Sequence, residues 1–80
     1  MEEDSLEFLR TLVETPSPSG FEDENLGNWR GRVEGVADEI ETDAYGNTTA
    51  TVNPDAERSV VVTGHLDEIA LMVNHITDDG

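Results

Sequence analysis

The chain has 80 residues, so it can form at most one small domain, and a chain of this length buries only about 60% of its unfolded surface. Nineteen Asp and Glu residues against four Arg give a formal net charge of −15, which disfavours binding to nucleic acid because the phosphate backbone would be repelled. Cysteine is absent, which excludes disulfides and thiolate metal sites, and no apolar run approaches the length of a membrane span.

The acidic residues are spread along the chain rather than gathered in one block. Such a surface suits a high-salt cytoplasm, where the Debye length falls to about 3 Å at 1 M salt and mutual repulsion is screened. We therefore predict a protein from an extreme halophile, and we interpret the acidity as a solvated surface rather than a recognition surface. The opening Met-Glu-Glu-Asp lacks the basic and apolar parts of a secretory signal, which favours a cytoplasmic location.

The first helix is predicted over residues 3–15. Asp4 and Glu7 have the spacing of a capping box, and leucines then recur at helical intervals. Residues 15–20, Thr-Pro-Ser-Pro-Ser-Gly, cannot continue the helix because both prolines lack an amide donor and bias the residue before them toward extended geometry. This segment, called the connector below, is predicted to be ordered.

A second helix is predicted over residues 19–35, where Ser19 and Glu22 repeat the capping pattern. Gly27, Gly31 and Gly35 within it each weaken a helix by about 1 kcal/mol relative to Ala, so tertiary packing must hold it. Ser17 and Ser19 have no base nearby in the sequence. We interpret both as capping and turn residues rather than nucleophiles.

The second half of the chain is predicted to be β structure. A hairpin is expected over 37–53, a central strand over 59–64 and a further strand over 69–76. The Asp-Gly at 79–80 is a hairpin-turn signal with no strand after it, which predicts a chain truncated within a larger protein. The expected fold is α/β, with two N-terminal helices packed on a mixed β-sheet.

A candidate site follows the predicted central strand at Gly64-His65-Leu66-Asp67-Glu68. Open α/β sheets place ligands beyond the carboxyl ends of their strands. A histidine there can offer one ring nitrogen to a metal while a backbone carbonyl or a carboxylate fixes the other, and Asp67 would project to the same side in extended geometry. By itself, His-x-Asp is more often a solvated loop with ordinary surface acids.

The surrounding sequence makes the pattern specific. The connector with Phe-Glu-Asp-Glu after it, the Asp-Ala-Tyr-Gly-Asn hairpin at 43–47 and the strand running into His-x-Asp-Glu-Ile occur in one order. In these features the chain resembles the N-terminal part of the glutamyl and deblocking aminopeptidase family. These are zinc-peptidase-like, co-catalytic metallopeptidases that assemble into tetrahedral particles and include endoglucanase-M-like proteins.

The resemblance implies roles for individual residues. His65 would be a ligand to one metal of a two-metal site, and Asp67 would be the catalytic acid that steers the histidine and the metal geometry. Glu68 and Ile69 match the family pattern, and Glu68 is not expected to be a ligand. The resemblance also implies two divalent ions, zinc or cobalt, of which this chain alone would bind at most one weakly. Peptides would be the substrate and a homo-oligomer the assembled form.

Two other functions remain open from the sequence. One is a related metallohydrolase, an amino-acid deacylase or carboxypeptidase, although such enzymes usually carry Thr where this chain has Glu68. The other is a non-catalytic fragment that only folds or docks on a partner. Because the implied general base and remaining ligands have no position here, we expect the chain alone to be inactive. His75 is expected to be a packed or edge histidine rather than a ligand.

Overall fold

The computed structural model describes residues 2–80, and two helices followed by a small antiparallel sheet make up its regular structure. Helix α1 is Glu3–Glu14, helix α2 is Asp23–Val33, strand β1 is Glu39–Thr42 and strand β2 is Thr48–Thr51. This confirms an α/β chain at the level of two helices and a sheet. Across the described part of the chain, no helix is long and apolar enough to cross a membrane.

Helix α1 begins earlier than a capping box at Asp4 would allow. Glu2 is the residue before its first turn, and no side chain caps it. Asp4 and Glu7 both lie inside the helix, so the predicted capping box is wrong. The acidic side chains of Glu3 and Asp4 in the first turn still interact favourably with the positive end of the helix dipole. The helix ends at the extended Thr15, as expected for a residue preceding Pro16.

Helix α2 begins at Asp23, four residues later than predicted, and Ser19 does not cap it. Gly20 adopts φ +88°, and its N–H donates to the Glu22 carboxylate at 2.7 Å. This left-handed turn reverses the chain before the helix can start, and glycine adopts it without steric cost. The Ser19 hydroxyl is therefore free to contact another part of the chain.

The hairpin formed by β1 and β2 lies within the predicted 37–53 range. Ile40 pairs with Ala50 in an antiparallel register. Arg30 on α2 donates to the Thr42 hydroxyl at 2.9 Å, and Thr42 in turn bonds across the sheet to Thr48 at 2.9 Å. Polar contacts thus join the hairpin to the second helix.

The strands predicted at 59–64 and 69–76 are absent from the structure of residues 2–80, and so is the mixed sheet. The valines of the first run are 78–92% exposed. An apolar strand is stable only with hydrogen-bonded neighbours and cover on its faces, which none of the described residues supplies. The parallel pairing seen is an isolated bridge between Pro18 and Glu68, so His65 follows an irregular segment rather than a strand.

The interior of the described chain is polar. Ser17 and Asn25 are each 2% exposed, and no apolar side chain between residues 2 and 80 is buried to a comparable degree. The two residues lie where the connector packs between the helices and the segment around His65. Hydrogen bonds rather than apolar packing therefore determine how the site region is placed.

Glycine substitutions at two positions are expected to change stability in opposite directions. Gly46 in the hairpin turn has φ +91°, so Gly46→Ala should destabilise the chain by about 1 kcal/mol. Gly27 in α2 has a helical backbone and open space where a methyl group would lie, so Gly27→Ala should stabilise it by about 1 kcal/mol. Urea unfolding at constant high salt measures both, and a gain at Gly46 would contradict the turn geometry.

The hairpin turn should contribute a pH-dependent stability through Asp43. The Asn47 side-chain amide, at 3.0 Å, is the main cause that lowers the pKa of Asp43 below its ordinary 3.8, and the Asn47 and Tyr45 N–H groups add to it. Because the folded pKa is lowered, this stabilisation is present above pH 3.8 and is lost as pH falls through the folded value. Asn47→Ala should raise the pKa of Asp43 in a carboxyl-carbon NMR titration, whereas the distant Asn28→Ala should leave it unchanged.

Candidate metal site

The segment 65–68 is held in place by the connector rather than by a sheet. The buried Ser17 hydroxyl donates to the Leu66 carbonyl at 2.6 Å. The Ser17 carbonyl accepts from the Glu68 N–H at 2.9 Å, next to the bridge that pairs Pro18 with Glu68. These bonds fix the backbone on both sides of Asp67, and so they determine where its carboxylate can reach.

Asn25 supports the connector from the second helix. Its amide donates to the Leu12 carbonyl at 2.9 Å and to the Ser17 hydroxyl at 3.4 Å. Asn25 thus joins α1, α2 and the connector through one buried side chain. A buried amide whose N–H groups are hydrogen-bonded stabilises the fold. Without the Asn25 side chain, the Leu12 carbonyl and the Ser17 hydroxyl would each lose a hydrogen bond in a region with little water.

His65 and Asp67 form a close pair at the centre of the segment. His65 Nδ1 lies 2.9 Å from Asp67 Oδ1 and 3.1 Å from the Asp67 carbonyl oxygen. Both oxygens can only accept, so Nδ1 carries the proton and donates, which leaves the Nε2 lone pair free. The ring is 85% exposed and the Asp67 side chain 44% exposed, so Nε2 is open to solvent.

Ser19 occupies the other carboxylate oxygen. Its hydroxyl donates to Asp67 Oδ2 at 2.8 Å. This hydrogen bond is the largest cause of the lowered pKa of Asp67, and the hydrogen bond from His65 acts in the same direction. Asp67 therefore remains ionised at neutral pH and able to hold the imidazole.

These residues can supply one ligand of a metal coordination shell but not a complete set of ligands. His65 Nε2 is a free ligand atom of the type that zinc and cobalt accept. Among residues 2–80, however, no three His, Asp or Glu side chains lie close enough to hold an ion together. A shallow depression of about 300 Å³ adjoins the pair, with Leu9 and Leu12 of α1 on its far side. Approach to the ring is therefore open.

The other sequence candidates lie apart from the pair. The side chain of Glu68 is exposed, and the residue takes part through its backbone. His75 is exposed as well, and the strand on which it was expected to be a packed or edge histidine is not formed. The sequence did not predict that Ser17, Ser19 and Asn25 support the site. The two serine hydroxyls in an ordered connector restrained by prolines were a signal that could have indicated this role for the serines.

Comparison with known proteins places the chain's relatives among the aminopeptidases. It is 37% identical over 75 residues to the lysyl aminopeptidase of Pyrococcus furiosus, covering 92% of this chain and 21% of that protein. It is 33% identical over 76 residues to Escherichia coli FrvX, which is named as a candidate aminopeptidase, covering 95% of this chain and 21% of that protein. The chain thus spans about a fifth of the length of these relatives.

Residues 46–80 match the model of the M42 glutamyl aminopeptidase family. The matched part contains both His65 and Asp67, and the resemblance predicted from the sequence is confirmed. Peptidases of this family depend on metal ions in general. No solved structure matches the chain significantly.

Proposed function

We propose that this chain contributes one corner of a metal-dependent aminopeptidase site, in which His65 binds a divalent ion through Nε2 and Asp67 fixes the ring. The 2.9 Å contact from His65 Nδ1 to Asp67 Oδ1 carries the proposal, because it leaves Nε2 free on an exposed ring. Histidine ligands in metalloproteins use the same arrangement, with the second nitrogen donating to a carboxylate.

In this proposal the chain orients a ligand and leaves proton transfer to other residues. Two divalent ions, zinc or cobalt, would supply Lewis acidity and a more acidic bound water when present. Asp67 keeps the imidazole in one tautomer, and Ser17 keeps the backbone around Asp67 fixed. The general base and the remaining ligands are proposed to lie outside residues 2–80, consistent with the lack of a complete ligand group among them.

The proposed substrate is the free amino end of a peptide, from which one residue is released at a time. The names of the relatives support this over a deacylase or carboxypeptidase. Assembly with further copies and a cytoplasmic, high-salt setting belong to the same proposal. The net charge of −15 supports the high-salt setting.

A module that only folds or docks is the second candidate, and the exposed apolar runs at 59–64 and 69–76 favour it. Zinc titration by calorimetry at high salt separates the two functions. The proposed site predicts a weak component of zinc binding that His65→Ala removes and His75→Ala retains, above the binding by surface carboxylates that all three chains share. A docking module predicts no loss on either substitution.

A further inference from the structure

We infer that Ser19 is a positioning residue of the candidate site, which holds the Asp67 carboxylate so that His65 presents Nε2 outward. Its significance for a metal rests on the proposed function, but the geometry itself can be tested without metal. The chain of contacts runs from the Ser19 hydroxyl to Asp67 Oδ2 at 2.8 Å, and from Asp67 Oδ1 to His65 Nδ1 at 2.9 Å.

Exposure explains why the pair needs a second anchor. An ion pair or hydrogen bond between exposed side chains contributes little, because both partners lose rotamer freedom and water competes for them. The His65 ring is 85% exposed and the Asp67 side chain is 44% exposed. Fixing Oδ2 removes most of the carboxylate's freedom, so Oδ1 stays directed at the ring.

The position of Ser19 in the connector makes it a rigid donor. Pro18 before it has a restricted φ angle and bridges to Glu68, and Gly20 after it turns the chain at φ +88°. The hydroxyl thus reaches Asp67 from a backbone that the bridge between Pro18 and Glu68 already holds beside the segment 65–68. Its partner lies 48 residues away in the sequence, so the bond is a tertiary contact.

Two other roles for Ser19 do not fit the structure. It does not cap α2, which begins at Asp23 with Glu22 before it. It is not poised as a nucleophile, because the carboxylate that accepts its proton is a weak base at an exposed site, and the histidine contacts that carboxylate rather than the hydroxyl. Orientation of Asp67 is the role that uses both observed contacts.

The test follows the ring nitrogens of His65 by ¹⁵N NMR in the metal-free chain at high salt. At about pH 8.5, above the ordinary histidine pKa of about 6.5, each neutral ring reports its tautomer. We expect His65 to favour the Nδ1–H form, Ser19→Ala to shift it toward the Nε2–H form, and Ser19→Thr to restore the original spectrum. His75 in the same chain serves as an internal control and should not change.

A tautomer ratio at His65 that is unaffected by Ser19→Ala would overturn the inference. Ser19 is exposed, so the substitution removes no buried group, and circular dichroism of the two helices checks that the fold remains. If Asp67→Asn shifts His65 while Ser19→Ala does not, the pair forms without Ser19, and the inference is again wrong.

Zinc separates this inference from the proposed function. Loss of a group that supports a ligand typically lowers metal affinity about 10-fold or more, and we expect about that for Ser19→Ala. A ring that responds to Ser19→Ala but never binds zinc would uphold the positioning role and refute the proposed metal site. Zinc bound at His65 with equal affinity in the unsubstituted chain and in Ser19→Ala would support the proposed metal site and refute the positioning role of Ser19.

Discussion

Asn25→Ala is expected to lower the free energy of unfolding by about 1–3 kcal/mol, a large part of the stability of a domain this small. The substitution removes the amide that donates to the Leu12 carbonyl at 2.9 Å and to Ser17 at 3.4 Å. Both acceptors lie in the only region that the described residues bury deeply, where water cannot readily replace the lost donor.

The control is Asn28→Ala, one helical turn further along α2. Asn28 donates to the Thr15 hydroxyl at 3.1 Å and to Asn25 Oδ1 at 3.4 Å but is only partly buried, so its loss should cost less, about 0.5–1 kcal/mol. Both changes replace Asn with Ala in the same helix and so share the same gain in helix propensity. Urea unfolding followed by circular dichroism at constant high salt measures the two, and equal losses would contradict the central role of Asn25.

The same substitution should loosen the candidate site. Ser17 would lose its support, and the bond from the Glu68 N–H to the Ser17 carbonyl should open more often. Amide hydrogen exchange at Glu68 reports this opening directly. We expect faster exchange in Asn25→Ala than in Asn28→Ala, and unchanged exchange would mean that the connector holds the segment without α2.

Local patterns in the sequence were enough to predict the helices and the hairpin. The leucine spacing of α1 and the turn residues around Gly46 act over a few positions, so they need no knowledge of the rest of the fold. The capping assignments at Asp4 and Ser19 were wrong because a cap depends on the exact first residue of a helix. Sequence patterns locate that residue only to within a few positions.

The strands at 59–64 and 69–76 could not be predicted in the same way. Their apolar, β-branched composition indicates a strand that is covered, but the cover is a tertiary property and the described residues do not provide it. The contact between His65 and Asp67 could be predicted because the two residues are close in sequence. The contacts of Ser17 and Ser19, formed across 49 and 48 residues, were not.

Zinc binding at the proposed site is expected to be weak, to involve one histidine and to disappear in His65→Ala, which leaves only the undefined binding by surface carboxylates. One imidazole cannot fill a tetrahedral shell, and no complete ligand group exists among residues 2–80. Asp67→Asn should lower the affinity about 10- to 100-fold, because the ring loses the negative charge of the carboxylate and the amide that replaces it can present a donor as well as an acceptor to Nδ1. His75→Ala is the matched control, since it removes an exposed histidine without such an acceptor within the described structure.

The acidic surface makes a residue-specific measurement necessary, because nineteen carboxyl groups can bind zinc without any defined site. The most direct test is therefore a zinc titration followed on the ring nitrogens of His65 and His75 by ¹⁵N NMR at high salt. The proposed site predicts that Nε2 of His65 shifts at lower zinc concentrations than either nitrogen of His75. Equal responses from the two histidines, or none at His65, would contradict it.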